Sequence, residues 1–109
     1  MKYMGLTPAE FLSPNFNDRP KDIVPSILVI HYTGMQSLNQ ALQRLMSSNS
    51  QVSAHYLISR KGEIFKLVSE EKRAWHACVS YWRGETDINS YSIGIELENP
   101  GHEFGYSKF

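Results

Sequence analysis

Hydrophobic and polar positions divide this chain into a few readable elements. From Ile23 to Tyr32 the residues are near-continuously apolar and β-branched, which predicts a strand buried on both faces, and Thr33-Gly34 breaks it. Ser37 with Gln40 three residues on is a capping-box signature. Leu38, Ala41, Leu42, Leu45 and Met46 then recur at helical spacing, so Ser37–Met46 is expected to be an amphipathic helix, closed by Ser47-Ser48-Asn49-Ser50. Residues 52–59 and 63–68 read as a hairpin around Arg60-Lys61-Gly62, with Gly62 suited to a positive φ. From Ser69 to Tyr91 the pattern is irregular, with Trp75, Trp82, Gly84 and Asp87, and predicts a long loop with a short helical turn. In the strand 92–98, Ile93, Ile95 and Leu97 form one face, while Gly94, Glu96 and Glu98 form the other.

The flanks are less regular. Residues 1–22, rich in Pro, Asn and Asp, read as an extended arm lying on the domain. After strand 92–98 come the turn residues Asn99-Pro100-Gly101-His102, and no further element is readable. One helix cannot cover both faces of a four-strand sheet that contains a doubly buried strand. A bare sheet face is therefore expected, with residues 1–109 forming a single partial domain, the front half of a larger α/β domain.

Composition narrows the function classes. At 109 residues the chain is at most one domain, and 41% hydrophobic content suits a globular core. Eleven basic and 11 acidic residues give a formal charge of zero, without the electrostatic footprint of a nucleic-acid binder. A single cysteine, Cys78, excludes an intramolecular disulfide; a small buried thiol is a better reading for it than a nucleophile. Neither a signal-peptide core nor a run of roughly 18 apolar residues is present. The expected location is the cytoplasm, with the cell envelope as the alternative.

Four histidines and one strand carboxylate are the candidate chemistry. His31 ends an apolar strand, a natural position for a metal ligand and equally for a histidine hydrogen-bonded at a strand terminus. Glu96 belongs either to a solvated polar face or to a general base near a metal-bound water. Gly94 beside it favours the second reading, because a strand glycine often marks close approach by a ligand or backbone. His55 and Tyr56 point to opposite faces, so only one can join a site without a bulge. His76 follows Trp75, whose ring could stack on a sugar or peptide; the alternative is a surface loop histidine. The helical His spacing of a zinc site and Cys-x-x-Cys are both absent.

Five stretches in order, Ser13–Phe16, Val29–Met35, Val52–Ile58, Ala74–Ala77 and Asn89–Asn99, resemble the zinc-dependent N-acetylmuramoyl-L-alanine amidases, a family that includes phage amidases and peptidoglycan recognition proteins. The resemblance implies a mixed sheet flanked by helices with a zinc ion in a groove. It implies hydrolysis of the amide between N-acetylmuramic acid and L-alanine of the stem peptide. By the same resemblance His31 is the first zinc ligand and Glu96 the catalytic carboxylate, while Tyr56, Trp75, His76 and Asn99 line the substrate groove. The family's second and third ligands and a further catalytic lysine come from its C-terminal part, so the remaining Zn²⁺ ligands are expected beyond residue 109, or from another chain supplying that half. His102 falls too early to be one of them. Three readings follow: an amidase acting on the sacculus or on soluble anhydro-muropeptides, a muropeptide-binding module without catalysis, or an inactive fragment.

Overall fold

The computed structural model describes residues 9–77 and 87–100; Cys78, Trp82, Gly84 and His102 lie outside them. Strands β1 (Ala9–Glu10), β2 (Phe16–Asp18), β3 (Ile27–Tyr32), β4 (Tyr56–Ile58), β5 (Ile64–Lys66), β6 (Lys72–Ala74) and β7 (Ser92–Leu97) combine with helices α1 (Leu38–Met46) and α2 (Ile88–Tyr91). A five-stranded mixed sheet runs in the order β1-β5-β4-β7-β3, and β2 pairs with β6 in a separate ribbon. The β4–β5 pair is the expected hairpin, antiparallel, with Gly62 at φ +84° in its turn. The β1–β5, β4–β7 and β7–β3 pairs are all parallel.

Helix α1 starts where the sequence places it. Ser37 is the N-cap, and its hydroxyl accepts the Gln40 N–H at 3.2 Å. Ala41 and Leu45 are buried against Leu57, Phe65, Leu67, Val68 and Ala74, with Leu38, Leu42 and Met46 packed at the margin. These contacts lay α1 over the face of the sheet that carries Leu57.

The N-terminal arm is extended, as expected, and it also forms two strands. β1 pairs with β5, and β2 pairs antiparallel with β6. Between them Ser13 and Asn15, each 2% exposed, bind carbonyls at the C-terminal end of α1 and in the segment that follows it. Ser13 Oγ donates to Leu45 O, and Asn15 Nδ2 donates to Ser47 O and Val52 O, both at 2.8 Å. Asn15→Ala removes the partner of Val52 O and one of those of Ser47 O, which keeps the Ser50 N–H and hydroxyl, and should cost about 1–2 kcal/mol. Urea unfolding measures this, and an unchanged midpoint would contradict it. Further along, Arg19 donates to the carbonyls of Glu70, Asn89, Ser90 and Ser92, tying the arm to the α2–β7 junction.

Two expectations need correction. The strand begins at Ile27, and β3 is an edge strand of the described sheet whose two faces differ. Ile27, Val29 and His31 are partly covered, while Leu28 (60%), Ile30 (59%) and Tyr32 (49%) are exposed. In register these three stand beside Ile93, Ile95 and Leu97. The expected bare face is thus present among the described residues, and it coincides with the second apolar face of β3. The second correction concerns 69–91, which contains β6 as well as the short helix α2. Lys72-Arg73-Ala74 has no apolar alternation and is a strand because β2 pairs with it.

Candidate active site

Strand register brings His31 and Glu96 together. β3 and β7 run parallel with His31 opposite Glu96, and Leu57 of β4 is the partner of Glu96 on the other side. Register partners share a face, so both side chains lie on the face covered by α1. They line one cavity of ≈220 Å³ together with Met35, Arg44, Val52 and His76. The rim is fixed where β3 ends: Thr33 Oγ1 donates to Asn99 O at 3.1 Å, and Gly34, at φ +67°, donates its N–H to the same carbonyl at 2.9 Å.

The cavity tunes its ionisable groups. Burial pushes the Glu96 carboxyl up to about 7, opposed by the Arg44 guanidinium. A carboxyl with that value exchanges a proton readily near neutral pH. Burial has the reverse effect on the imidazoles. His76 is pushed down to about 3, by burial first and then by His31, His55, Arg19 and Arg73. His31 and His55 are also lowered, chiefly by burial.

These shifts set opposite pH trends. A histidine lowered on folding contributes stability that is present above its unfolded value of 6.5 and is lost as pH falls toward the folded value. Glu96, raised on folding, contributes stability that is present below its unfolded value of 4.5 and is lost as pH rises to about 7. Between roughly pH 4.5 and 6.5 the two oppose each other. Glu96→Gln removes the carboxyl trend. The metal-free variant should therefore lose stability on acidification by up to about 1.4 kcal/mol per pH unit from His76 alone, more steeply than the unsubstituted protein. Urea midpoints across that window check this, and equal slopes for the two proteins would refute it.

The remaining expected groove residues lie elsewhere. Tyr56 is the register partner of Ile95 and faces away from Glu96, where it is buried and donates its hydroxyl to Glu70. The alternation that separates His55 from Tyr56 therefore puts His55, not Tyr56, on the side of the site. His55 is fully buried, and both its ring nitrogens are engaged. Nδ1 accepts the Gly94 N–H at 3.0 Å, so Nε2 carries the proton and donates to Lys72 O at 2.8 Å. Trp75 donates its indole N–H to Asn17 at 3.1 Å and is absent from the cavity wall. Asn99 is fully buried behind the rim that its backbone helps to build. Of the four expected groove residues, only His76 reaches the cavity.

Two contributors escaped the sequence reading. Arg44 reaches the cavity from α1, and Ser92 supports His76 through a 2.9 Å contact between Oγ and Nε2. Both left a signal: Arg44 is three residues beyond Ala41 on α1, and Ser92, Gly94 and Glu96 alternate along one face of β7.

The donor set has the chemistry of part of a zinc site. His31 presents an imidazole to the cavity beside a carboxylate, but catalytic zinc needs three protein ligands and a water. Among the described residues, no group of three His, Cys, Asp or Glu could hold a metal ion. No helix among them is long and apolar enough to cross a membrane.

Comparison with known proteins agrees with this architecture. The chain is 46% identical over 82 residues to the N-acetylmuramoyl-L-alanine amidase AmiD of Escherichia coli (strain K12), covering 69% of this chain and 29% of that protein. It is 40% identical over 103 residues to the 1,6-anhydro-N-acetylmuramyl-L-alanine amidase AmpD of Citrobacter freundii, covering 79% and 55% respectively. It thus spans about half or less of the length of these relatives. The structure of E. coli AmiD in complex with anhydro-N-acetylmuramic acid-L-Ala-D-gamma-Glu-L-Lys superposes with a TM-score of 0.62 at 37% identity, covering 80% of this chain and 40% of that one. The sequence pattern of the N-acetylmuramoyl-L-alanine amidase family matches residues 19–109, and the chain belongs to that family.

Proposed function

We propose that this chain supplies the first part of a zinc-dependent amidase that hydrolyses the bond between the N-acetylmuramic acid lactyl group and L-alanine of a muropeptide. The observation that carries the reading is the pairing of His31 and Glu96 in register on one face of the sheet, in one cavity, with the Glu96 carboxyl raised to about 7. His31 would hold zinc, with the other ligands coming from the length of the relatives that this chain does not span, in the same polypeptide or a second one. Zinc, when bound, supplies Lewis acidity. Glu96 takes a proton from the attacking water and returns it to the departing amine of L-alanine, so one carboxylate serves as base and then acid. The anhydro-muropeptide bound by E. coli AmiD and the 1,6-anhydro-N-acetylmuramyl-L-alanine amidase among the relatives support an anhydro-muramyl peptide as the substrate class.

The test joins residues 1–109 to the part of the Citrobacter freundii relative that they do not span, and follows release of the stem peptide. The joined, zinc-loaded protein should hydrolyse the muropeptide and stop on chelation, while the 109 residues alone should not. Hydrolysis that survives chelation or His31→Ala would overturn the assignment. The alternative is a module that binds muropeptide without catalysis. A folded, zinc-loaded joined protein that binds muropeptide without cleaving it would establish that alternative.

A further inference from the structure

The ring of His31 has two nitrogens, and one of them has a side-chain partner. Its Nε2 is 3.2 Å from Nδ1 of His76, with the two rings edge-on at 65° and their centroids 5.4 Å apart. His76 in turn places its own Nε2 2.9 Å from Ser92 Oγ. Its main chain is pinned by Asn89, whose Oδ1 accepts the N–H of His76 at 3.2 Å and of Ala77 at 2.8 Å. Beneath the ring lies Gly94. A Cβ there would stand 2.3 Å from His76 Cγ and 2.4 Å from Cδ2, a separation that bonded neighbours alone could tolerate. The glycine of β7 therefore makes room for a side chain, and that side chain backs the residue opposite Glu96.

We propose that His76 is a positioning residue that holds His31 with Nδ1, not Nε2, toward the cavity, seated for that task by Gly94 and Ser92. Imidazole ligands are oriented by the partner of their second nitrogen, and loss of such a partner typically weakens metal binding 10–100-fold. For Nδ1 to offer a lone pair, Nε2 of His31 must carry the proton and donate it to His76 Nδ1. Nε2–H of His76 then donates to Ser92 Oγ. Both nitrogens of the His76 ring are thus used in support, although the ring also forms part of the cavity wall. This inference rests on the zinc reading of His31.

The experiment uses ¹¹³Cd²⁺ as the probe with ¹⁵N-labelled histidine in the joined protein, and reads the nitrogen of His31 that couples to cadmium. Coupling to Nδ1 is expected in the unsubstituted protein. His76→Asn keeps an acceptor near the position of Nδ1, and should keep the same coupling and affinity to within a few-fold. His76→Leu fills the space without an acceptor, and should weaken cadmium binding about 10–100-fold and mix the coordinating nitrogens. Circular dichroism confirms that each variant is folded, and metal-free ¹H–¹⁵N spectra report the His31 tautomer directly. Coupling through Nε2 overturns the proposal while leaving zinc at His31 intact. Leu and Asn variants that bind alike also overturn it. Absence of coupling to either nitrogen of His31 overturns the zinc reading and this inference with it.

Discussion

Glu96→Gln in the joined, zinc-loaded protein should lower muropeptide turnover by about 10²–10⁴-fold, the usual contribution of a positioned general base, with zinc content unchanged. The amide keeps the shape of the side chain and its place on β7 but cannot accept the proton of the attacking water. Burial raises the Glu96 carboxyl to about 7 in the metal-free site, and a nearby cation lowers such a group by favouring its charged form. The rate should therefore fall as pH drops through a value at or below about 7, because the protonated acid no longer serves as base. That acidic limb should be missing from the residual activity of the variant. KM should change little, since the interaction is made with water in the transition state and not with the bound peptide. A variant with near-normal turnover, or with the same acidic limb, would remove Glu96 from the chemistry.

Much of the fold was legible because periodic patterns encode it locally. The Ser37 cap and the Leu38–Met46 stripe fixed α1, Gly62 marked the hairpin turn, and alternation from Ile93 to Leu97 fixed both strand and face for β7. The elements that escaped are those that tertiary contact creates. Ala9–Glu10 and Lys72–Ala74 carry no strand pattern and are extended because Phe65–Lys66 and Phe16–Asp18 pair with them. The apolar run of β3 announced two apolar faces and the shortage of helices announced a bare one, but that the bare face carries Leu28, Ile30 and Tyr32 depends on which side α1 packs, which no local pattern contains. Within the site, period-two spacing put His31 and Glu96 on compatible faces, and the register then set them side by side. The choice between His55 and Tyr56 depends on the β4–β7 register, which no local pattern contains. Gly94 signalled a close approach, and the group that approaches is the His76 ring.

That contact gives the largest expected effect on folding. In Gly94→Ala the new methyl would meet Cγ, Cδ2 and Nδ1 of His76 at 2.3, 2.4 and 2.8 Å, and the ring cannot rotate out of the way without leaving Ser92 and His31. The backbone of Gly94 is equally constrained, since its N–H donates to His55 and its carbonyl accepts the His55 N–H. Overpacking of this kind costs about 1–3 kcal/mol, and the lost buried hydrogen bonds of His76 add to it. A double-mutant cycle separates this clash from any strain that alanine causes by itself. In a His76→Ala background the space above residue 94 is open, so Gly94→Ala should then cost much less, with a coupling energy of about 1–3 kcal/mol. Urea unfolding of the four proteins measures it. Equal costs in the two backgrounds would show that Gly94 is required for a reason other than His76, and the seat that orients His31 would have to be sought elsewhere on β7.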